Sequence, residues 1–262
     1  MRQLPRPLSG LCRALPLAAG LLGLAAPAVA EPVSAVVEMF TSQGCTACRA
    51  ADPIMRDLAA QPGVVALTLP VTYWDYLGWH DTLALRSFNE RQRAYAHARG
   101  ARQVMTPQAV IDGGTTANGS SRPAIERAMR EASPLGTLPV PVSAQVSGTQ
   151  IVVEIGSRAP EAPGVKLKAT RGEERGDVWL VPLLKLRVTK VEAGENDGRV
   201  ASYVNVARGL QRLGTWTGQP ARFEVPASAS ALSGADGWVV LLQHSREGRL
   251  GRILGAAKGP GL

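Results

Sequence analysis

Two cysteines, Cys45 and Cys48, lie where a strand-like pattern gives way to a helix-like pattern. Residues 34–41 form a short apolar run typical of a buried strand, and from Cys45 to Leu58 apolar residues recur at helical spacing. A cysteine at the start of a helix faces free amides and the helix dipole, which lower the pKa of its thiol. The pattern therefore predicts Cys45 as an exposed nucleophile and Cys48, one turn further on and more buried, as the resolving thiol.

The chain contains one further cysteine, Cys12, inside a segment, 1–30, that predicts a secretory signal. Three arginines precede an apolar stretch at 14–26, and small residues at 28–30 are typical of a cleavage site. Cleavage after Ala30 would leave only the paired cysteines, in a periplasmic or secreted chain where disulfides form. We expect the processed chain to keep no stable transmembrane segment, because the apolar stretch is removed.

The positive charge of the chain is thinly spread. The formal net charge is +8, from 29 basic and 21 acidic residues, and removing the three signal arginines lowers it to +5. No lysine or arginine run is present, so we expect no nucleic-acid partner, which would need clustered charge. Hydrophobic residues make up 45% of the chain and charged residues 19%, which excludes wholesale disorder.

The first half of the processed chain predicts an α/β domain over residues 31–134. Its predicted elements, in chain order, are a strand at 34–41, the helix that carries the cysteines, a strand at 63–71, an exposed helix at 83–100, a strand at 108–111 and a helix at 123–133. Thr106-Pro107 precedes the third strand. This order of strands and helices predicts a thioredoxin-like layout.

The second half of the chain predicts β-structure. Prolines and a glycine around residues 135–141 exclude a helix or a central strand there, so this segment predicts a linker. Residues 142–262 contain several short stretches of alternating apolar and polar residues separated by turn signals. The pattern predicts an all-β, sandwich-like domain, and we expect it to bind or to scaffold because no nucleophile and base assemble there.

Four stretches of the sequence carry a family resemblance. They are residues 38–45 (EMFTSQGC), 73–79 (YWDYLGW), 106–108 (TPQ) and 194–196 (GEN). Through them the chain resembles exported thioredoxin-like proteins of bacteria grouped as domain of unknown function 1223. The resemblance implies a thioredoxin-like domain followed by a β-rich one, with no settled biochemical function. The chain departs from the family at Arg49, where the family commonly has proline, and Glu195 and Asn196 are predicted turn residues.

Further residues are predicted to surround the cysteine pair. The resemblance implies that the Thr106–Pro107 peptide bond is cis and faces the cysteines, with the backbone of Thr106 able to pair with a bound peptide. Asp75 is most simply a solvated loop acid, and the functional alternative places it near Cys48 as a proton acceptor. Trp74 is either a core residue or the wall of the cleft.

We predict an exported thiol-disulfide oxidoreductase-like protein that acts on a protein or on a small thiol or disulfide substrate. It needs no cofactor beyond the redox-active disulfide Cys45–Cys48. We expect no metal site, since structural zinc takes four ligands and the chain has no second cysteine pair. Two alternatives stay open. One is a non-enzymatic envelope binding protein with a static disulfide, and the other is a copper-handling protein that uses two thiolates and a histidine.

Overall fold

The computed structural model describes residues 32–134, 136–159, 175–246 and 249–262. The predicted signal segment, 1–30, and its cleavage site lie outside these residues. Contacts between chain segments group Glu31–Leu262 into one unit. Within the described ranges, no helix is long and apolar enough to cross a membrane.

Strands dominate the described chain, and three α-helices accompany them. The strands are β1 (Ala35–Thr41), β2 (Val64–Pro70), β3 (Gln108–Ile111), β4 (Thr115–Asn118), β5 (Val142–Ser147), β6 (Gln150–Ile155), β7 (Gly176–Lys190), β8 (Val200–Ala207), β9 (Gln211–Trp216), β10 (Ala221–Pro226), β11 (Gly237–Arg246) and β12 (Arg249–Lys258). The α-helices are α1 (Ala51–Ala59), α2 (Arg86–Ala98) and α3 (Arg122–Ala132). Short 3₁₀-helices cover Thr46–Ala50, Asp75–Leu77, Gly194–Asn196 and Ala227–Gly234.

Nine of these strands form one mixed sheet in the order β12-β11-β7-β8-β2-β1-β3-β4, with β9 paired to β7 as a branch. Strands β1 and β2 are parallel, with Ala35 opposite Val64, because the crossover between them contains α1. Every residue of both strands is buried. Helices α1 and α3 cover one face of this region and α2 covers the other, which explains the unbroken apolar runs in the sequence.

Strand β8 carries the sheet from the first half of the chain into the second. It lies parallel to β2 with Val206 opposite Thr68. The Thr68 hydroxyl donates to the carbonyl of Val204 at 2.6 Å, and Asn205 Nδ2 donates to the carbonyl of Ala66 at 3.1 Å. The predicted fold class, a thioredoxin-like α/β domain followed by a sandwich-like all-β domain, is therefore wrong. Alternation along a strand indicates its two faces but not its neighbours, so the sequence did not reveal this pairing.

A second, three-stranded sheet in the order β10-β6-β5 packs against the β7, β11 and β12 region of the large sheet. Ile151 and Val153 of β6 share one buried cluster with Val240 and Leu254 of the large sheet. The amide of Val140, in the segment predicted as a linker, donates to the carbonyl of Leu254 at 2.8 Å. This segment is thus hydrogen-bonded to the large sheet in the structure.

A buried ionic network joins β1, α2 and β11. Arg91 donates from Nε to Glu38 at 2.6 Å and from NH2 to Gln243 Oε1 at 2.9 Å, and Tyr95 donates its hydroxyl hydrogen to Glu38. Gln243 Nε2 donates to the carbonyl of Gly251 at 2.9 Å. Burial alone would lower the pKa of Arg91, but the charge of Glu38 outweighs it and raises that pKa above its ordinary value.

Candidate functional site

Cys45 and Cys48 form a disulfide, with their Cα atoms 5.3 Å apart. The amide of Cys48 donates to the carbonyl of Cys45 at 3.2 Å, which closes the turn between them. Cys45 precedes the five-residue 3₁₀-helix Thr46–Ala50, and the α-helix begins only at Ala51. The predicted helix start at Cys45 is confirmed, since Cys45 is the N-cap residue, but the first turn is 3₁₀ and the α-helical hydrogen bonding begins at Ala51.

Both cysteines are buried, with 3% of Cys45 and 1% of Cys48 exposed. The prediction that Cys45 is exposed is wrong, because the loop that carries Thr106 lies against it. The Thr106 hydroxyl donates to Cys45 Sγ at 3.3 Å, and the Thr106 carbonyl oxygen lies 3.8 Å from the same sulfur. Helical periodicity indicates which face of an element is apolar, but it cannot indicate which distant loop covers a cysteine.

The Thr106–Pro107 peptide bond is cis, which confirms the prediction. Thr106 also accepts a hydrogen bond at 2.7 Å from Trp74 Nε1 through its hydroxyl oxygen. The Trp74 ring in turn stacks on the ring of Tyr76, with centroids 6.3 Å apart and planes 18° from parallel. The structure therefore brings Trp74, Thr106 and Cys45 into one continuous chain of contacts.

Asp75 makes its contacts within its own loop. Its carboxylate pairs with His80 Nδ1 at 2.7 Å and accepts a hydrogen bond from the amide of Asp81 at 3.2 Å. Neither sulfur of the disulfide is among its hydrogen-bond partners. The structure thus gives Asp75 a role in shaping the loop and does not join it to Cys48.

Gln43, two residues before Cys45, is a buried residue whose hydrogen bonds hold the disulfide loop, and the sequence prediction missed it. Its backbone amide donates to Asp81 Oδ2 at 2.7 Å, and its side-chain oxygen Oε1 accepts from Trp79 Nε1 at 2.8 Å. Burial raises the pKa of the Asp81 carboxyl above its ordinary value, and hydrogen bonds from the amides of Gln43 and Leu83 oppose that rise. These contacts fix the loop that enters the disulfide.

Asn196 is fully buried and fixes the same loop from the second half of the chain. Its Nδ2 donates to the carbonyl of Gln43 at 2.7 Å, and its Oδ1 accepts from Arg49 Nε at 2.7 Å. One carboxamide therefore holds the backbone before Cys45 and the side chain after Cys48. Asn196 does lie in a turn, as predicted, here the 3₁₀-helix Gly194–Asn196, but its side chain belongs to the candidate site.

The signal that points to these residues is the convergence of the four stretches that carry the family resemblance. Each contributes a side chain next to the disulfide loop: Gln43 from 38–45, Trp74 and Trp79 from 73–79, Thr106 from 106–108 and Asn196 from 194–196. Gly194 touches the loop 73–79 directly, since an added Cβ would lie 2.9 Å from the carbonyl oxygen of Leu77. Because these four stretches are far apart in sequence yet meet around one loop, we assign them to one candidate site.

A cavity of about 10 Å³ lies between the strand that precedes the disulfide loop and the helix that follows it. This is close to the space that one water molecule needs. Asp52, four residues after Cys48, lines the cavity and pairs with Arg199, while the hydroxyls of Thr41 and Tyr203 find no hydrogen-bond partner among protein atoms. Burial raises the pKa of Asp52 to about 6, although Arg199 opposes this rise.

The side chains that commonly bind metals are dispersed in the part of the chain that the structure describes. There, no group of three or more histidine, cysteine, aspartate or glutamate side chains could hold a metal ion. His80 is engaged with Asp75 at 2.7 Å.

The comparisons with known proteins give one family and one similar crystal structure. A family model described as protein of unknown function (DUF1223) matches residues 36–243, so the chain belongs to this family, as the resemblance predicted. The crystal structure of protein AGR_C_4864 from Agrobacterium tumefaciens is similar, with 33% sequence identity and a TM-score of 0.74. That similarity covers 87% of this chain and 94% of the Agrobacterium chain. No curated protein matches the chain.

Proposed function

We propose that this member of the DUF1223 family is an exported thiol-disulfide oxidoreductase-like protein whose reactive group is the Cys45–Cys48 disulfide. The observation that carries the proposal is the 3.3 Å hydrogen bond from the Thr106 hydroxyl to Cys45 Sγ. A donor on sulfur stabilises negative charge there, so it favours Cys45 both as an attacking and as a leaving thiolate. A disulfide that closes so short a loop also adds little stability, which favours a chemical role.

The exchange proceeds in two displacements. A substrate thiolate attacks Cys45 Sγ, the bond between Cys45 and Cys48 breaks, and Cys48 leaves as a thiolate that takes up a proton. A second substrate thiolate then attacks the substrate sulfur of the mixed disulfide, and Cys45 leaves as a thiolate. The substrate is oxidised to a disulfide by loss of two electrons, and the cysteine pair is reduced to two thiols. The reverse sequence reduces a substrate disulfide.

A matched pair of valine variants tests the role of the Thr106 hydroxyl. Thr106→Val keeps the shape of the side chain but removes the donor, so the acidity of the reduced Cys45 thiol should fall by about tenfold, the worth of one hydrogen bond to a charged group. The measurement is the pH dependence of iodoacetamide alkylation. Thr116→Val, on β4, serves as the control and should leave that dependence unchanged. An unaltered Cys45 profile in Thr106→Val would contradict the proposal.

The second candidate function is a non-enzymatic envelope binding protein with a static disulfide. The burial of both cysteines, 3% and 1% exposed, favours it, because a reactive disulfide must be reached by its substrate. The reduction potential against a glutathione series separates the two candidates. A value below about −300 mV would assign the pair to structural disulfides, and a higher value would support exchange.

Export is a separate part of the proposal and has its own test. Processing after Ala30 should give a mature chain that begins at Glu31, because the small-residue pattern ends there. Intact-mass measurement of the protein recovered from the periplasm or the medium checks this expectation. A mass that includes Cys12 would contradict it.

A further inference from the structure

Two large apolar side chains are exposed beside the disulfide. In the described ranges, the exposed large apolar residues are Tyr76, Met105, Val146, Leu186, Val188 and Val200. Tyr76 is 77% exposed and stacks on Trp74, while Met105 is 48% exposed and directly precedes Thr106. We call Trp74, Tyr76 and Met105 the apolar rim.

The apolar rim is held against the sulfur by hydrogen bonds. Trp74 Nε1 donates to the Thr106 hydroxyl oxygen at 2.7 Å, and that hydroxyl lies 3.3 Å from Cys45 Sγ. Trp74 is therefore joined to Cys45 Sγ, the atom that a substrate must attack, through one residue, Thr106, and Met105 precedes that residue in the chain.

The two loops that carry the rim are also joined beneath it. Gln92, which is fully buried, donates from Nε2 to the carbonyl of Met105 at 2.8 Å and accepts from the Tyr73 hydroxyl at 3.1 Å. Gln92 thus holds both loops from α2. The backbone carbonyl beneath the exposed Met105 side chain is thus hydrogen-bonded to a buried residue, so the exposure of Met105 is a feature of the folded surface.

The chemistry of the rim suits an apolar side chain of a polypeptide. Its three side chains carry no charge. An aromatic ring pair offers a flat face, and a methionine adapts to side chains of different shapes. A small thiol without an apolar group would leave this surface uncovered. The Thr106 hydroxyl alone separates Trp74 Nε1 from Cys45 Sγ, with links of 2.7 and 3.3 Å, so a side chain that neighbours the reacting cysteine of an extended polypeptide would meet the rim at Trp74.

We propose that the apolar rim binds a large apolar or aromatic side chain next to the reacting cysteine of an extended polypeptide substrate. The proposal rests on the proposed oxidoreductase function. It adds the substrate class, namely unfolded or extended chains in which an apolar residue adjoins a cysteine.

The test compares two reduced peptides and glutathione as substrates of the oxidised processed protein. The peptides are identical except that phenylalanine or serine follows the cysteine. We expect the second-order rate constant to be about fivefold higher for the phenylalanine peptide, as one aromatic contact would give. In Tyr76→Ser and Met105→Ser the ratio of the two rates should fall below about twofold. Val188→Ser, at an apolar position on β7 outside the rim whose 60% exposure lies between those of Tyr76 and Met105, should keep the parent ratio.

Each outcome has one meaning. Equal rates for the two peptides in the parent, with glutathione reacting, would overturn the apolar rim proposal and leave the proposed function intact. A parent preference that survives in both rim variants would also overturn it, since the preference would then arise elsewhere. No reaction with any of the three thiols would overturn the proposed function and the substrate class with it. Circular dichroism of each variant confirms that its fold is retained.

Discussion

Two buried side-chain amides join the first half of the chain to the second. Asn196 binds the disulfide loop, and Gln243 binds helix α2. Around Asn196 the partners are a backbone carbonyl, of Gln43, and the exposed Arg49. Around Gln243 the partners are Arg91 of a buried ion pair, the Tyr95 hydroxyl and the carbonyl of Gly251. We call these groups the disulfide network (Gln43, Arg49, Trp79, Asp81 and Asn196) and the ionic network (Glu38, Arg91, Tyr95 and Gln243).

The two networks differ in what they do: the first positions the disulfide loop, and the second contributes mainly to the stability of the fold. The disulfide network surrounds the Cys45–Cys48 bond. Two of its links join neutral groups and two join one charged group to a neutral one, so each is of modest net strength. The ionic network lies around α2 and contains charges that would be costly to leave unpaired in the interior. We therefore expect changes to the first network to alter the disulfide and changes to the second to alter mainly the free energy of unfolding.

The largest effect is expected from Glu38→Gln. It leaves the guanidinium of Arg91 buried without its counter-ion, which typically costs about 3–5 kcal/mol of unfolding free energy. Urea unfolding measures this loss, and Glu90→Gln, an exposed position on α2 next to Arg91, is the control. The reduction potential of the disulfide should stay within about 10 mV of the parent, well under the 30 mV that corresponds to 1.4 kcal/mol. A larger shift would show that the two networks are not separable.

The next effect concerns pH and Asp52. Its pKa is about 6 in the folded protein, above the ordinary 3.8, so the folded state binds more protons than the unfolded state between those values. The unfolding free energy should therefore fall as pH rises from about 4 to 6, by about 3 kcal/mol from this group. Asp52→Asn can still accept from Arg199 and should remove this part of the pH dependence, as measured by urea unfolding at pH 4.5 and 7.5.

Asp57→Asn is the matched control for that experiment, because Asp57 lies on the same helix and 60% of its side chain is exposed. It should keep the parent slope. An Asp52→Asn variant with the same slope as the parent would refute the assignment of this pH dependence to the cavity between β1 and α1.

A smaller loss of stability is expected from Asn196→Ala. It leaves the buried carbonyl of Gln43 without its donor, at a cost of about 1–3 kcal/mol. Unlike Glu38→Gln, it should also shift the reduction potential by 10 mV or more, because the loop before Cys45 and the side chain after Cys48 lose their common partner. Asp197→Ala, the exposed neighbouring position, is the control for both measurements. An unchanged potential in Asn196→Ala would remove the distinction between the two networks.

Local patterns predicted the elements of the first half well. The apolar runs at 34–41 and 63–71 correspond to β1 and β2, and the helix predicted at 83–100 corresponds to α2. These elements depend on neighbours within a few residues, which periodicity records. The cis bond at Thr106–Pro107 was also predicted, though from resemblance and not from periodicity.

Long-range placement could not be predicted in the same way. The side chain of Asn196 reaches Gln43 only because β7 and β8 return the chain to the edge of β2, and no pattern near residue 196 contains that path. Arg91 lies on a helix that the sequence predicted to be exposed, yet it is buried against Glu38. A charged residue is expected at the surface unless its partner is known, and that partner is 53 residues away.

The position of β2 between β1 and β8 has a consequence for synthesis. Thr68 of β2 meets Val204 of β8 across 136 residues of sequence, so one edge of β2 stays open until nearly the whole chain has been made. An open strand edge is a template for pairing with other chains, and long-range pairing slows folding. A fragment that ends near residue 134 would keep this edge permanently and should aggregate. We therefore expect that the protein cannot be divided at its midpoint into two independently soluble pieces, even though both cysteines of the disulfide lie in the first.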